Sequence, residues 1–328
     1  MNPLEKSKLG RTSLELTRLG FGASSIGAEF GQFDFTQSLE TVRTAIESGI
    51  NFIDTAAYYG RGMSEVLLGQ VLPRYPRDSL VVSTKLGRYA PTHFDFSAKR
   101  VAESVDVSLE RMRLDYLDIV LCHDIEYGDV HQVIEETLPA LKRQVDKGKV
   151  RYVGVSGYPM KNFERVIPTG LVDCVITYNH YTLQNDMALR WLPIAKQYGV
   201  GVINAAPFSA RLLTDLPLPV WHKAPEDVRR TAAEASKWCK QQCTSIEKLA
   251  IQYSVSHPGF TSCLVGSAIP SEVKQWLDWC REPIDQGLIE GVRAKLAPIH
   301  NWYYVEGRPE NNDLSWPPFV YDSKPSNR

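Results

Sequence analysis

Short apolar runs rich in β-branched residues recur along this chain, separated by stretches of helical periodicity. The runs are Asn51–Thr55 (NFIDT), Leu80–Lys85 (LVVSTK), Tyr116–His123, Val150–Ser156, Val172–Tyr178, Gly199–Ala206 and Cys263–Ser267. A strand with one wet face alternates apolar and polar residues. These runs are instead largely continuous, the pattern of strands covered on both faces of a parallel sheet. Helical periodicity falls between them at Thr36–Ser48, Ser64–Leu72, from a Ser97 cap to Met112, Val130–Lys147, Met187–Tyr198, Asp227–Cys239, Ile246–Val255 and Ser271–Cys280. Strand–helix alternation repeated about eight times implies an α/β chain closed into a (β/α)8 TIM barrel, and 328 residues suit one such domain spanning 1–328. An open doubly wound sheet is the alternative, but no G-x-G-x-x-G follows the first of these runs. Lys6–Leu19 reads as an N-terminal β-hairpin. Leu213–Glu226, with Pro217, Pro219 and Pro225, and the aromatic tail from Asn301 read as long loops able to cover the C-terminal face of the barrel.

Composition narrows the function. With 37 basic and 38 acidic residues the net charge is −1, which provides no electrostatic footprint for nucleic acid or for a membrane surface. The polar start MNPLEKSKLG lacks the apolar centre of a signal peptide, and no apolar run approaches the roughly 20 residues that span a bilayer. A soluble, cytoplasmic protein is expected, a monomer or weak homodimer acting on a small molecule. Six cysteines spread along a chain of this size suit reduced thiols. Cys239 and Cys243 are expected one helical turn apart, as packing residues, and no metal site is expected.

Catalytic groups of a barrel sit at the C-terminal ends of its strands. Asp54 ends NFID with Tyr59 in the loop that follows, Lys85 ends LVVSTK, and His123 ends YLDIVLCH. A lysine buried at a strand end needs a counter-charge, and Asp54 is the natural one. Lys85 close to Tyr59 is expected to lower the phenol pKa from about 10, making the tyrosine an acid in one direction and a base in the other, while His123 orients the reacting oxygen. Each residue also has an ordinary structural role open to it, as packing, as a satisfied core histidine or as an ion pair. Their joint occurrence at successive strand ends favours chemistry.

The segments GINFIDTAAYYGRGMSEVLLG, VVSTKLG and DIVLCHDIE resemble the signature of the aldo-keto reductases, with Asp54, Tyr59, Lys85 and His123 at the family's catalytic positions. The spacing from Asp54 selects Tyr59 over its neighbour Tyr58. The resemblance implies a hydride-transferring oxidoreductase that uses NAD or NADP, without a metal. It implies cofactor contacts from Ser156 in VGVSGYP, where Gly157 replaces the family's asparagine. It implies others from Ala206, Pro207, Phe208 and Arg211 of NAAPFSARLL, which lacks the usual stacking aromatic, and from Gly266, Ser267 and Glu272 of VGSAIPSEV. Relatives that use NADP carry Lys and Arg near Gly266 and Glu272. Gly and Glu there favour NAD, with Arg211 as the residue able to restore NADP binding. Longer segments, including HDIEYG after His123, resemble the sugar-oxidising L-galactose dehydrogenase branch of the family. That branch implies oxidation of an aldose at C1. A general carbonyl reductase and a non-catalytic cofactor-binding subunit are the alternatives. Tyr58, His93, Phe94 and Trp221 are the expected substrate walls.

Overall fold

The computed structural model describes residues 1–27 and 34–313. Eight parallel strands close into a barrel in chain order: β1 (Leu19–Gly22), β2 (Phe52–Asp54), β3 (Val81–Leu86), β4 (Leu117–Cys122), β5 (Val150–Gly157), β6 (Cys174–Tyr178), β7 (Gly201–Ala205) and β8 (Ser262–Val265), with β8 pairing back to β1. Helices follow the strands on the outside, and the (β/α)8 expectation is met.

The side-chain period of two sorts each strand between two cores. Phe52, Val81, Ile119, Leu121, Cys174, Ile176, Ile203 and Leu264 fill the interior. Ile53, Val82, Val120, Val153, Val155, Val175, Val202 and Val265 pack outward against the helices. The hairpin Lys6–Lys8 and Glu15–Thr17 closes the N-terminal end, where Leu9, Leu14 and Leu16 join the interior core and Arg11 N–H donates to Gly199 O at 2.7 Å. Function is therefore left to the opposite end.

Several elements differ from the sequence reading. Leu19, read as the end of the hairpin, opens β1; a four-residue strand with two glycines gives little strand signal. The helix expected over Val130–Lys147 is helical over Val130–Gln132, widens to a π turn at Val133–Thr137 and resumes at Leu138–Asp146. Pro139 is the cause: its ring would strike the carbonyl of Glu135 in a regular α-helix, and the wider turn moves that carbonyl aside. Met187–Tyr198 is split at Trp191 into a 3-10 turn, Met187–Arg190, and a helix, Leu192–Gln197, that admits Pro193 in its first turn. The helix Glu226–Gln241 stops before Cys243, which is exposed at φ 56°, so only Cys239 packs in the core. A further strand pair, Arg88–Ala90 with His93–Phe94, projects from the loop after β3.

The long loops knit together over the C-terminal face. His222 stacks on Trp302 at 6.2 Å between centroids, Lys223 pairs with Glu306, and Tyr127 of the loop after β4 also donates to Glu306. Asn311 Nδ2 donates to the carbonyls of Glu126 and Gly128 at 3.0 and 2.8 Å. The Asp313 carboxylate accepts from the first N–H groups of the turn Met160–Val166. The remainder of the tail lies outside the described residues. No described helix is long and apolar enough to cross a membrane.

Candidate active site

The alternation that places Phe52, Val81 and Leu121 inside the barrel also turns Asp54, Lys85 and His123 inward at its C-terminal end, where all three are almost fully buried. Tyr59 is delivered by a turn whose geometry is fixed by glycine. Gly60 has φ 58°, and a Cβ there would stand 1.8 Å from Gly27 O, so the turn lies hard against the backbone after β1.

One ammonium organises these groups. Lys85 Nζ donates to Asp54 Oδ2 at 2.5 Å, to Thr55 O at 2.7 Å and to Tyr59 Oη at 3.3 Å. Ser83 holds the other oxygen of Asp54 at 2.6 Å. The ring of His123 meets that of Tyr59 edge-on, 5.6 Å between centroids. Asp54 thus fixes Lys85, and Lys85 and His123 converge on the phenol.

The electrostatics correct one expectation. Lys85 does pull the Tyr59 phenol downward, but burial outweighs it, and the pKa stands at about 12. Tyr59 without cofactor is a firmly protonated donor. Burial, reinforced by Lys85 and Arg88, drops His123 well below the usual histidine range, so its imidazole is neutral. Its Nδ1 is buried without a hydrogen-bond partner among the described residues. Lys85 is held charged: Asp54 and Tyr59 raise its pKa against the opposing effect of burial.

The expected cofactor residues border the same mouth. Ser156, the penultimate residue of β5, is buried and accepts from Asp124 N–H at 3.4 Å. After β7, Ala206, Ser209, Ala210 and Arg211 all take left-handed backbone (φ 58°, 50°, 55° and 77°), strain of the kind concentrated in ligand-holding loops. Pro207 is buried in that loop, Phe208 packs on Trp276 with centroids 6.0 Å apart, and Arg211 is exposed. Gly266 leaves no room for a side chain, since a Cβ would sit 2.3 Å from Gly22 O. Ser267 donates to the Glu272 carboxylate in the first turn of the helix Pro270–Arg281. The small residues Gly22 and Ala205 end β1 and β7, the two strands that flank β8. These features fit an extended nucleotide laid from the mouth to that helix N-terminus.

Of the expected substrate walls, Tyr58 lies 6.0 Å from His123 and Phe94 stacks on Tyr127 at 4.9 Å. Trp221 is 53% exposed and stacks on His222. His93 turns to Tyr89, 5.6 Å away, and lines a surface depression with Asp95, Lys99 and Arg100; no described contact joins it to the tetrad. The sequence reading missed Arg88 and Asp124, an ion pair beside His123 in which the carboxylate is buried and the guanidinium partly so. Asp124 directly follows His123, which was its only signal. Burial holds its carboxyl above the usual range while Arg88 opposes the shift. No group of three or more His, Cys, Asp or Glu residues is placed to hold a metal among the described residues.

Residues 18–297 match the model of the Aldo/keto reductase family. The chain is 40% identical over 320 residues to an L-galactose dehydrogenase of Arabidopsis thaliana, covering 95% of this chain and 100% of that one. It is 32% identical over 256 residues to a D-arabinose 1-dehydrogenase of Saccharomyces cerevisiae, covering 73% and 75%. A solved aldo-keto reductase of Bacillus halodurans in its holo form shares the fold, with a TM-score of 0.77 at 24% identity over 92% of this chain and 98% of that one.

Proposed function

The chain belongs to the aldo/keto reductase family of NAD(P)-dependent oxidoreductases, and from that premise we propose that it oxidises an aldose of the L-galactose type at C1, with NAD as the hydride acceptor. The observation that carries the chemistry is the single ammonium of Lys85, shared between Asp54 and Tyr59 beside a neutral His123. His123 donates to the C1 hydroxyl oxygen and orients it. Tyr59, as the phenolate that Lys85 stabilises, takes the hydroxyl proton through Oη and becomes the phenol. The bound nicotinamide supplies the acceptor for the C1 hydride. In the reverse direction the protonated Tyr59 gives its proton to a carbonyl oxygen. The assembled tetrad favours turnover over a purely accessory role.

Ser156, the strained loop at Ala206–Arg211, and Gly266–Glu272 are the residues that would hold the cofactor. The preference for NAD rests on Glu272: a carboxylate in the first turn repels a 2′-phosphate but accepts a bond from a ribose hydroxyl. The chain acts as one barrel domain, as a monomer or weak homodimer in the cytoplasm. A panel of aldoses and simple carbonyl compounds assayed with NAD and NADP tests the reading at the nicotinamide absorbance. Turnover of L-galactose with NAD above that of the simple carbonyls supports it. Preference for unhydroxylated aldehydes or ketones would replace it with general carbonyl reduction.

A further inference from the structure

One residue beyond His123 the backbone turns left-handed: Asp124 has φ 49° and ψ 58° although it carries a side chain. That conformation is unfavourable for a residue with a side chain, so the surrounding structure must hold it. Its result is specific. The Asp124 carboxylate comes back beside the catalytic imidazole, Oδ2 3.7 Å from His123 Nε2.

Arg88 reaches the same point from the strand pair after β3 and donates through Nη1 to Asp124 Oδ2. Its guanidinium lies 4.1 Å from the Tyr58 ring centroid, 5.4 Å from Tyr127 and 5.6 Å from Phe94. Three partly exposed rings therefore surround the cation at the mouth.

The pair is only partly satisfied. Among the described residues, Asp124 Oδ1 accepts no hydrogen bond, and Arg88 gives a protein acceptor only one of its N–H groups; its Nε is buried without a partner. A purely structural buried ion pair is normally hydrogen-bonded on its remaining edges, because unpaired buried polar atoms are costly. Here an acceptor and several donors stand idle one residue from the reacting atoms.

Resting on the aldose reading above, we infer that Arg88 and Asp124 form a hydroxyl-recognition pair that selects substrates with a hydroxyl on the carbon next to the reacting one. If His123 holds the reacting oxygen, the neighbouring hydroxyl is one C–C bond away, which brings it to Asp124. That hydroxyl donates to Asp124 Oδ1 and accepts from the guanidinium. The rings of Tyr58, Phe94 and Tyr127 take the C–H face of the sugar. A plain alkyl aldehyde offers neither bond and leaves both polar groups desolvated and unpaired.

The test compares kcat/KM for glyceraldehyde and propanal, which differ in their hydroxyls, with reduced nicotinamide cofactor. The wild-type enzyme favours glyceraldehyde. Asp124→Asn, which keeps the shape of the side chain, lowers the ratio of the two values by about 10- to 100-fold, the effect of one hydrogen bond to a charged group. Arg88→Lys keeps the charge and the fold but loses the forked donor, and lowers the same ratio. It decides the matter should Asp124→Asn fail to fold by circular dichroism. Equal losses on both substrates, or no discrimination in the wild type, overturn the pair's role alone. A wild-type enzyme that turns over neither aldehyde nor any aldose refutes the oxidoreductase reading, and the pair's role with it.

Discussion

Lys85 Nζ stands 2.5 Å from Asp54 Oδ2, and both side chains are nearly sealed from solvent. Removing one partner strands the other charge in the barrel. Asp54→Asn should destabilise the fold by about 3 kcal/mol, the low end for breaking a buried pair. Tyr59→Phe should cost far less. Denaturant unfolding of the two variants measures the difference, and equal midpoints would mean that the pair does not support the barrel.

Tyr59→Phe should cut turnover by at least about 100-fold, the lower range for a positioned proton donor. Cofactor affinity, followed by fluorescence titration, should persist. Near-normal turnover would move the acid–base role elsewhere, with Tyr58 the first residue to examine.

The pKa shifts give the two reaction directions different pH profiles. Tyr59, raised to about 12, is protonated at neutral pH, and the phenolate fraction grows tenfold per unit below that value. Oxidation needs the phenolate, so its kcat/KM should climb from about pH 6 to pH 10, whereas reduction, which needs the phenol, should stay level. A bound cationic nicotinamide moves the oxidation limb to lower pH without changing its sign. His123, held well below 6.5, should leave no inflection near neutrality. Lys85→Met removes the charge that pulls the phenol down and should push the oxidation limb to higher pH. A flat oxidation profile would contradict this assignment.

Cofactor choice should follow Glu272. The parent should show the higher kcat/KM with NAD, and Glu272→Arg should move preference towards NADP, since an arginine fork fits a phosphate and its gain fades with salt. Gly266→Lys should instead destabilise the protein, because any Cβ there meets Gly22 O at 2.3 Å. A parent that prefers NADP, with no response to Glu272→Arg, would transfer phosphate recognition to Arg211.

Activity should survive extensive chelation, because the proposed acid–base pair needs no metal ion. Loss that a divalent cation restores would refute the mechanism.

Much of this architecture was legible because it depends on local pattern. Continuous apolar strands imply a two-sided sheet, and three chemically matched residues at successive strand ends, with Tyr59 in the loop beside the first, imply a common mouth. What escaped the reading depends on backbone details or on distance along the chain. The weak strand β1 holds its place through pairing with β2 and β8 rather than through propensity. The sign of the Tyr59 shift needed burial to be weighed against a neighbouring charge, and sequence supplies only the charge. Arg88 and Asp124, 36 positions apart, meet because one residue adopts a left-handed turn. The contact from Asn311 to Glu126 spans 185 positions, beyond any periodicity.

That last contact ties the end of the described chain back to the loop after β4. Residues 302–313 are synthesised after every strand of the barrel, yet Glu306 joins the loop after β4 to Lys223, and Asn311 secures the carbonyls of Glu126 and Gly128. The mouth is therefore completed by residues that leave the ribosome after all eight strands. Proteolytic nicking or a fusion close behind Asp313 would reach the substrate entrance before it reached the barrel.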